Sequence, residues 1–120
     1  MNFDLEDRLI EYSALIIELT RSMSKDYVSN YLSNQLVRSG LSPSLNYAEA
    51  QGAESRKDFV HKMKIALKEL RETRMNLKII ERSQFLSDTG KLTSILDENN
   101  QLISIFVKSI ETAKKNMNNE

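Results

Sequence analysis

From Phe59 onward the chain sets Met63, Ala66, Leu70, Thr73, Leu77 and Ile80 at alternating spacings of four and three residues. At 3.6 residues per turn that alternation draws one line along a helix, and a strand, whose side chains alternate every second residue, has no use for it. A line so regular predicts a long helix packed lengthwise on neighbours at close to the bundle period. Ser55 supplies a capping hydroxyl at its start, and Asp58 stands three residues on, in the place of a capping-box acid. The helix is predicted to end near Ser83 or Gln84, about 40 Å from its start.

The same period occurs three more times. From Asp4 to about Met23, the residues Leu5, Leu9, Tyr12, Ile16, Leu19 and Met23 share a face, with Asp4, Glu6 and Asp7 near the positive end of the helix dipole. Ile10 and Ile17 widen that band, which predicts burial against more than one neighbour. Next, with Ser24 as the expected N-cap, Val28, Leu32, Gln35, Leu36 and Ser39 form an inner stripe. The run Ser39-Gly40-Leu41-Ser42-Pro43 punctuates it, since Pro43 has no donor and disfavours helical geometry at Ser42. Leu45, Asn46, Glu49 and Ala50 resume roughly the earlier phase. One long kinked helix to Gln51-Gly52 is therefore expected rather than two helices. After the loop Ser87-Asp88-Thr89-Gly90, the last helix carries Leu92, Leu96, Asn99, Ile103, Phe106, Ile110, Ala113 and Met117, and frays from Lys114. Asn99 is a polar residue at a core position, a device that fixes register. Ile65, Met75 and Ile79 lie off the third seam and predict a subunit contact.

Four amphipathic helices with short connections predict an all-α, up-down-up-down four-helix bundle with a kinked second helix, as a single domain over residues 1–120. Three glycines and one proline are too few for the turns of a sheet protein. The absence of cysteine excludes disulfides, thiol chemistry and Cys-based metal sites. No long apolar run and an acidic start, MNFDLEDR, argue against a membrane span or a targeting peptide, so a cytoplasmic protein is expected.

The polar motifs divide into those that support chemistry and those that do not. His61 follows Asp58 by three residues, half of a di-iron motif whose second half is missing, so neither a metal nor another cofactor is expected. Ser22-Met23-Ser24-Lys25 matches a hydrolase spacing without its companion motifs and reads as capping. No glycine-rich phosphate loop is present, and no catalytic set is complete. The chain is expected not to be an enzyme. Gln35, Arg38, Ser39, Asn46, Glu49, Glu54, Glu69 and Glu72 gather around the second and third helices; a hydrogen-bonded structural network accounts for them better than an acid/base cleft.

Charge carries the stronger signal. The net charge is zero, yet residues 56–82 hold nine Lys/Arg against four Asp/Glu, and residues 1–22 hold five acids against two bases. Lys57, Lys64, Lys68, Arg71, Lys78 and Arg82 fall on one arc of the third helix, a stripe suited to tracking the phosphates of RNA or DNA. A solvated charged face is the plainer reading. Asp4, Asp7, Glu11 and Glu18 make a complementary stripe on the first helix, diagonal to the third, so the two meet most easily between subunits. Such a head-to-tail contact closes into a ring if its rotation allows.

Several strings here resemble one family. They are Gln35-Leu36-Val37-Arg38-Ser39-Gly40, Asn46-Tyr47-Ala48-Glu49-Ala50-Gln51, Ala53-Glu54-Ser55, Asp58-Phe59 and Ala66-Leu67-Lys68-Glu69-Leu70-Arg71-Glu72-Thr73. With Asp4-Leu5-Glu6 and Ile110-Glu111-Thr112-Ala113-Lys114, they resemble the four-helix-bundle proteins encoded in 23S rRNA intervening sequences. That family is similar to the accessory variability determinant proteins of diversity-generating retroelements, which bind nucleic acid and a reverse transcriptase and are strongly basic, unlike this chain. The resemblance implies a bacterial helical bundle that assembles as a ring, commonly a homopentamer, without established catalysis. Its expected partners are itself, RNA or DNA, and a protein partner, with no membrane. The alternative is a protein-interaction scaffold whose charged stripes are used in self-assembly.

Overall fold

The structure, a computed structural model, describes residues 4–83, 86 and 88–119. Its helices are α1 (Leu5–Arg21), α2 (Tyr27–Gln51), α3 (Arg56–Ser83) and α4 (Gly90–Asn118). Helix α1 packs on α2 and α4, and α3 packs on the same two from the other side; the diagonal pairs meet through long side chains across the core, as where the Tyr47 ring of α2 stands edge-on to Phe106 of α4. This is the expected up-down-up-down bundle, 52 × 30 × 20 Å. No helix of the described residues is long and apolar enough to cross a membrane.

Local chemistry sets the helix ends. Asp4 caps α1, its carboxylate accepting from the amides of Glu6 and Asp7. Asp26, not Ser24, caps α2: its carboxylate takes the Ser29 amide at 2.9 Å, while the Ser24 hydroxyl donates to the same carboxylate. These donors hold the Asp26 carboxyl below its usual range. Ser55 Oγ accepts from the Asp58 amide at 3.0 Å and starts α3 as expected. Helix α1 stops at Arg21, where Ser22 caps it and donates to the Leu19 carbonyl. Helix α4 continues to Asn118, beyond the predicted fraying point. The expected α3 end at Gln84 and the loop residue Ser87 lie outside the described residues.

The core follows the predicted seams with two corrections. On α4 the buried line passes through Ile95 and Leu102, while Leu96 and Ile103 sit at its edge. Both lines are apolar, so periodicity allows either; α4 must face α1 and α3 together, which centres its buried arc on Ile95, Asn99 and Leu102. On α2 the buried stripe consists largely of small residues, Ser29, Ser39, Gly40 and Pro43, beside Leu32, Leu36 and Ala50. Val28 and Leu45 are exposed instead of buried.

Gly40 and Pro43 explain that stripe. A Cβ at Gly40 would lie 2.6 Å from Ile16 Cδ1 and 3.0 Å from its Cγ2, so glycine lets α1 and α2 approach closely. Beside it, Ser44 Oγ donates to the Leu9 carbonyl at 3.0 Å and meets Ser13 Oγ at 2.6 Å. Helix α2 runs unbroken through Pro43. The carbonyl of Ser42, next to the proline, accepts from Asn46 Nδ2 at 3.1 Å.

Halfway along the bundle a polar chain touches all four helices. Thr73 Oγ1 lies 2.9 Å from Ser39 Oγ, and Asn76 Nδ2 donates to the same oxygen at 3.2 Å. On the other side of α3, Asn99 Nδ2 donates to the Leu70 carbonyl and to the Tyr12 phenol, each at 2.9 Å. Ser39, Thr73, Asn99 and Tyr12 are wholly buried. Burial pushes the Tyr12 phenol up to about 12, against the opposing hydrogen bonds from Asn99 and Thr73.

Two outcomes test this packing. Gly40→Ala gains about 1 kcal/mol of helix propensity, yet it should lower stability by about 1–3 kcal/mol through overpacking on Ile16. Denaturant titration should show part of that loss restored when Ile16→Val is added; an additive double variant contradicts the contact. The pH sign for Tyr12 follows from its raised value. As pH rises from about 10 toward 12, the unfolded chain releases the phenol proton and the folded chain keeps it, so stability falls through that window. The part of the fall due to this residue should vanish in Tyr12→Phe.

Candidate nucleic-acid interface

Since α3 turns its Met63–Ile80 line inward, helical geometry sends its cations outward. Lys57, Lys64, Lys68, Arg71, Lys78 and Arg82 are all exposed. Helix α4 turns part of this stripe into a groove. A cleft of about 450 Å³ lies between Lys64, Lys68 and Arg71 on one side and Lys114 on the other, over a floor of Leu67, Val107 and Ile110. Glu111 is the carboxylate on its rim. The Lys64 ammonium is held below the usual lysine range because the Lys114 ammonium lies against it. Two like charges facing each other across a groove favour an anion between them.

Lys114 is a residue that sequence reasoning missed, because it placed the tail outside the helix. The signal was present: Lys114 falls one turn after Ile110, on the side that meets α3. Lys57, Lys78 and Arg82 continue the stripe beyond the groove without lining it. Met75, also exposed, sits in the same arc between Arg71 and Lys78.

The eight polar residues read as a structural network separate into several groups. Arg38 bridges from α2 to Glu69 at 3.2 Å and to Glu72 on α3, and also donates to Gln35 Oε1 on its own helix. Ser39 belongs to the buried chain at the bundle centre. Asn46 serves its own helix, at Ser42. Glu49 accepts from Lys62 Nζ at 2.9 Å, which raises the lysine above its usual range. Glu54 is exposed in the α2–α3 turn. The arrangement brings no general base to a nucleophile.

His61 is exposed on α3. Among the described residues, the one cluster of carboxylates and imidazoles close enough for a cation is Asp4, Glu6 and Asp7. It is exposed, lacks histidine, and already works as the α1 cap; Asp4 raises its neighbour Asp7. Ser22 caps α1, while Ser24, expected as a cap, instead donates to the Asp26 carboxylate that caps α2.

A wider cleft of about 1020 Å³ opens at the α2–α3 end, between that turn and the last turns of α4. Arg8, near the start of α1, pairs with Glu98 and Gln101 through Nε–Oε2 and Nη2–Oε1 contacts of 2.9 and 3.0 Å, so α1 does not extend along the later turns of α4. Phe59 and Ile105 line this cleft, and its rim mixes Glu54 with Arg56 and Lys108. That mixed rim selects no charge, unlike the α3–α4 groove.

Comparison with known proteins agrees with the fold. A family model described as "23S rRNA-intervening sequence protein" matches residues 2–108. A crystal structure of a protein of unknown function from the S23 ribosomal protein family of Bacteroides thetaiotaomicron superposes with a TM-score of 0.79 at 30% identity, covering 88% of this chain and 96% of that one. No curated protein matches. With four helices in the same arrangement and a family match over most of its length, the chain belongs to the 23S rRNA-intervening sequence protein family.

Proposed function

We propose that this chain is a non-enzymatic bundle that self-associates, in the manner of a homopentameric ring, and holds RNA or DNA by its phosphates in the α3–α4 groove. The observation that carries this reading is the α3–α4 groove, in which Lys64, Lys68 and Arg71 face Lys114 over an apolar floor. A phosphodiester between them relieves their repulsion and places its charge beside four cations. The absence of net charge does not oppose this, because phosphate contacts depend on local cations and not on the sum over the chain. The engagement of Ser22 with the end of α1 and of Ser24 with the Asp26 cap, together with the place of His61 outside any ligand cluster among the described residues, supports a non-catalytic reading.

Binding of a labelled, structured RNA at low salt tests it. Four groove cations predict a slope of log affinity against log salt of about −3 per groove. Lys64→Glu combined with Lys114→Glu should weaken binding at least tenfold without altering the melting curve, since both side chains are exposed. Absence of binding at low salt, or binding that ignores salt, contradicts the phosphate mechanism and favours the scaffold alternative, in which the charged stripes serve assembly alone.

A further inference from the structure

Two basic residues of α3 are half-buried, Lys62 and Arg74. Lys62 has its match, Glu49, at 2.9 Å. Arg74 has none among the described residues: its Nε is shut from solvent without an acceptor, and no carboxylate pairs with its guanidinium. The acids nearest to it are engaged elsewhere. Glu69 and Glu72 bridge to Arg38 on the α2 side of the helix. On α4, Glu98 pairs with Arg8, and Asp97 accepts from Gln101. Buried donors in proteins are nearly always matched, so an unmatched one asks for a cause.

Its place on the helix supplies one. Arg74 follows Leu67 by almost two whole turns, so both lie on the side of α3 that meets α4. Leu67 is part of the floor of the groove whose rims carry Lys64, Lys68, Arg71 and Lys114. Arg74 therefore stands about one turn past Arg71, at the end of that groove nearer the bundle centre. It also sits deeper than the rim cations, which are exposed.

Resting on the reading of this groove as a phosphate site, we infer that it takes a single strand of nucleic acid and that Arg74 anchors the strand. A guanidinium offers Nε and one Nη side by side, a fork that matches two oxygens of one phosphate. Only an acceptor lying in the groove reaches the Nε of Arg74. Packed helix axes lie about 10 Å apart, far less than the width of a duplex. A duplex rests on the rims, where Lys68 and Arg71 meet it and Arg74 does not. The floor of Leu67, Val107 and Ile110 has no ring for a base to stack on and no group to read a 2′-hydroxyl. The strand is held by sugar and phosphate with its bases outward, whatever its sequence. From Lys64 to Arg74 the helix rises about 15 Å, which asks for several consecutive phosphates and not one.

Fluorescence anisotropy at low salt tests this with the full chain, labelled oligouridylate and oligothymidylate, and RNA and DNA duplexes of equal length. Both single strands should bind at least tenfold tighter than the duplexes. Arg74→Lys keeps the charge and the apolar stem but loses the fork. It should weaken single-strand binding at least tenfold and leave the salt slope, duplex binding and the melting curve unchanged. Arg74→Met removes the charge as well and should make the slope shallower by about 0.7. The inference is overturned if duplexes bind as tightly as single strands, or if both Arg74 variants bind the strands as wild type does. In either case, binding that is still lost in the Lys64→Glu, Lys114→Glu double variant leaves the groove reading standing. If that double variant binds as wild type does, or no nucleic acid binds at all, the groove reading falls and this inference with it.

Discussion

The buried chain of polar groups through Ser39, Thr73, Asn99 and Tyr12 is the constraint on which the arrangement of the bundle depends. An apolar seam alone lets a helix slide by a turn or rotate by a residue with modest loss, because one leucine replaces another. A buried carboxamide or hydroxyl does not allow this: displaced from its partner, it costs about 1–3 kcal/mol. Helix α3 is held in this way from both sides, by Ser39 of α2 and Asn99 of α4, and the α1 phenol joins through Asn99. Ser44 and the close approach at Gly40 fix α1 against α2 in the same manner.

What the molecule shows outside follows from that pinning. With Thr73 inward, the α3 cations face outward, and Lys64, Lys68 and Arg71 look across to Lys114. With Arg38 and Glu49 drawn to α3, the outer face of α2 loses its charge. The surface therefore carries a neutral face on α2 and a basic groove between α3 and α4. The neutral composition of the chain conceals this division.

Much of this was legible in the sequence. The four-three spacing of α3 identified its whole buried line apart from Val60, and Asn99 stood out as polar at a core position, because both signals depend only on helical geometry. The α4 line was misplaced by one residue where Leu96 and Ile103 have apolar neighbours at Ile95 and Leu102; in such runs the choice is made by the partner helices. Val28 was placed inside because large apolar residues usually are, whereas the α1–α2 contact required small ones, Ser29, Ser39 and Gly40. Asp26 took the capping role expected of Ser24, two residues away, since either side chain can accept an amide. For the candidate groove, the α3 half was visible as a stripe. Its α4 half was not, since Lys114 becomes significant only when two helices are brought together.

The most direct test of the central claim, that the interior pins α3 so its cations form a phosphate groove with α4, is cross-linking to an RNA containing 4-thiouridine, with the adducts mapped by mass spectrometry. Adducts concentrated in the peptides around Lys64–Arg71 and Val107–Lys114 are predicted, absent from Tyr27–Leu45. Adducts centred on α2, or spread evenly over every exposed lysine, would contradict it.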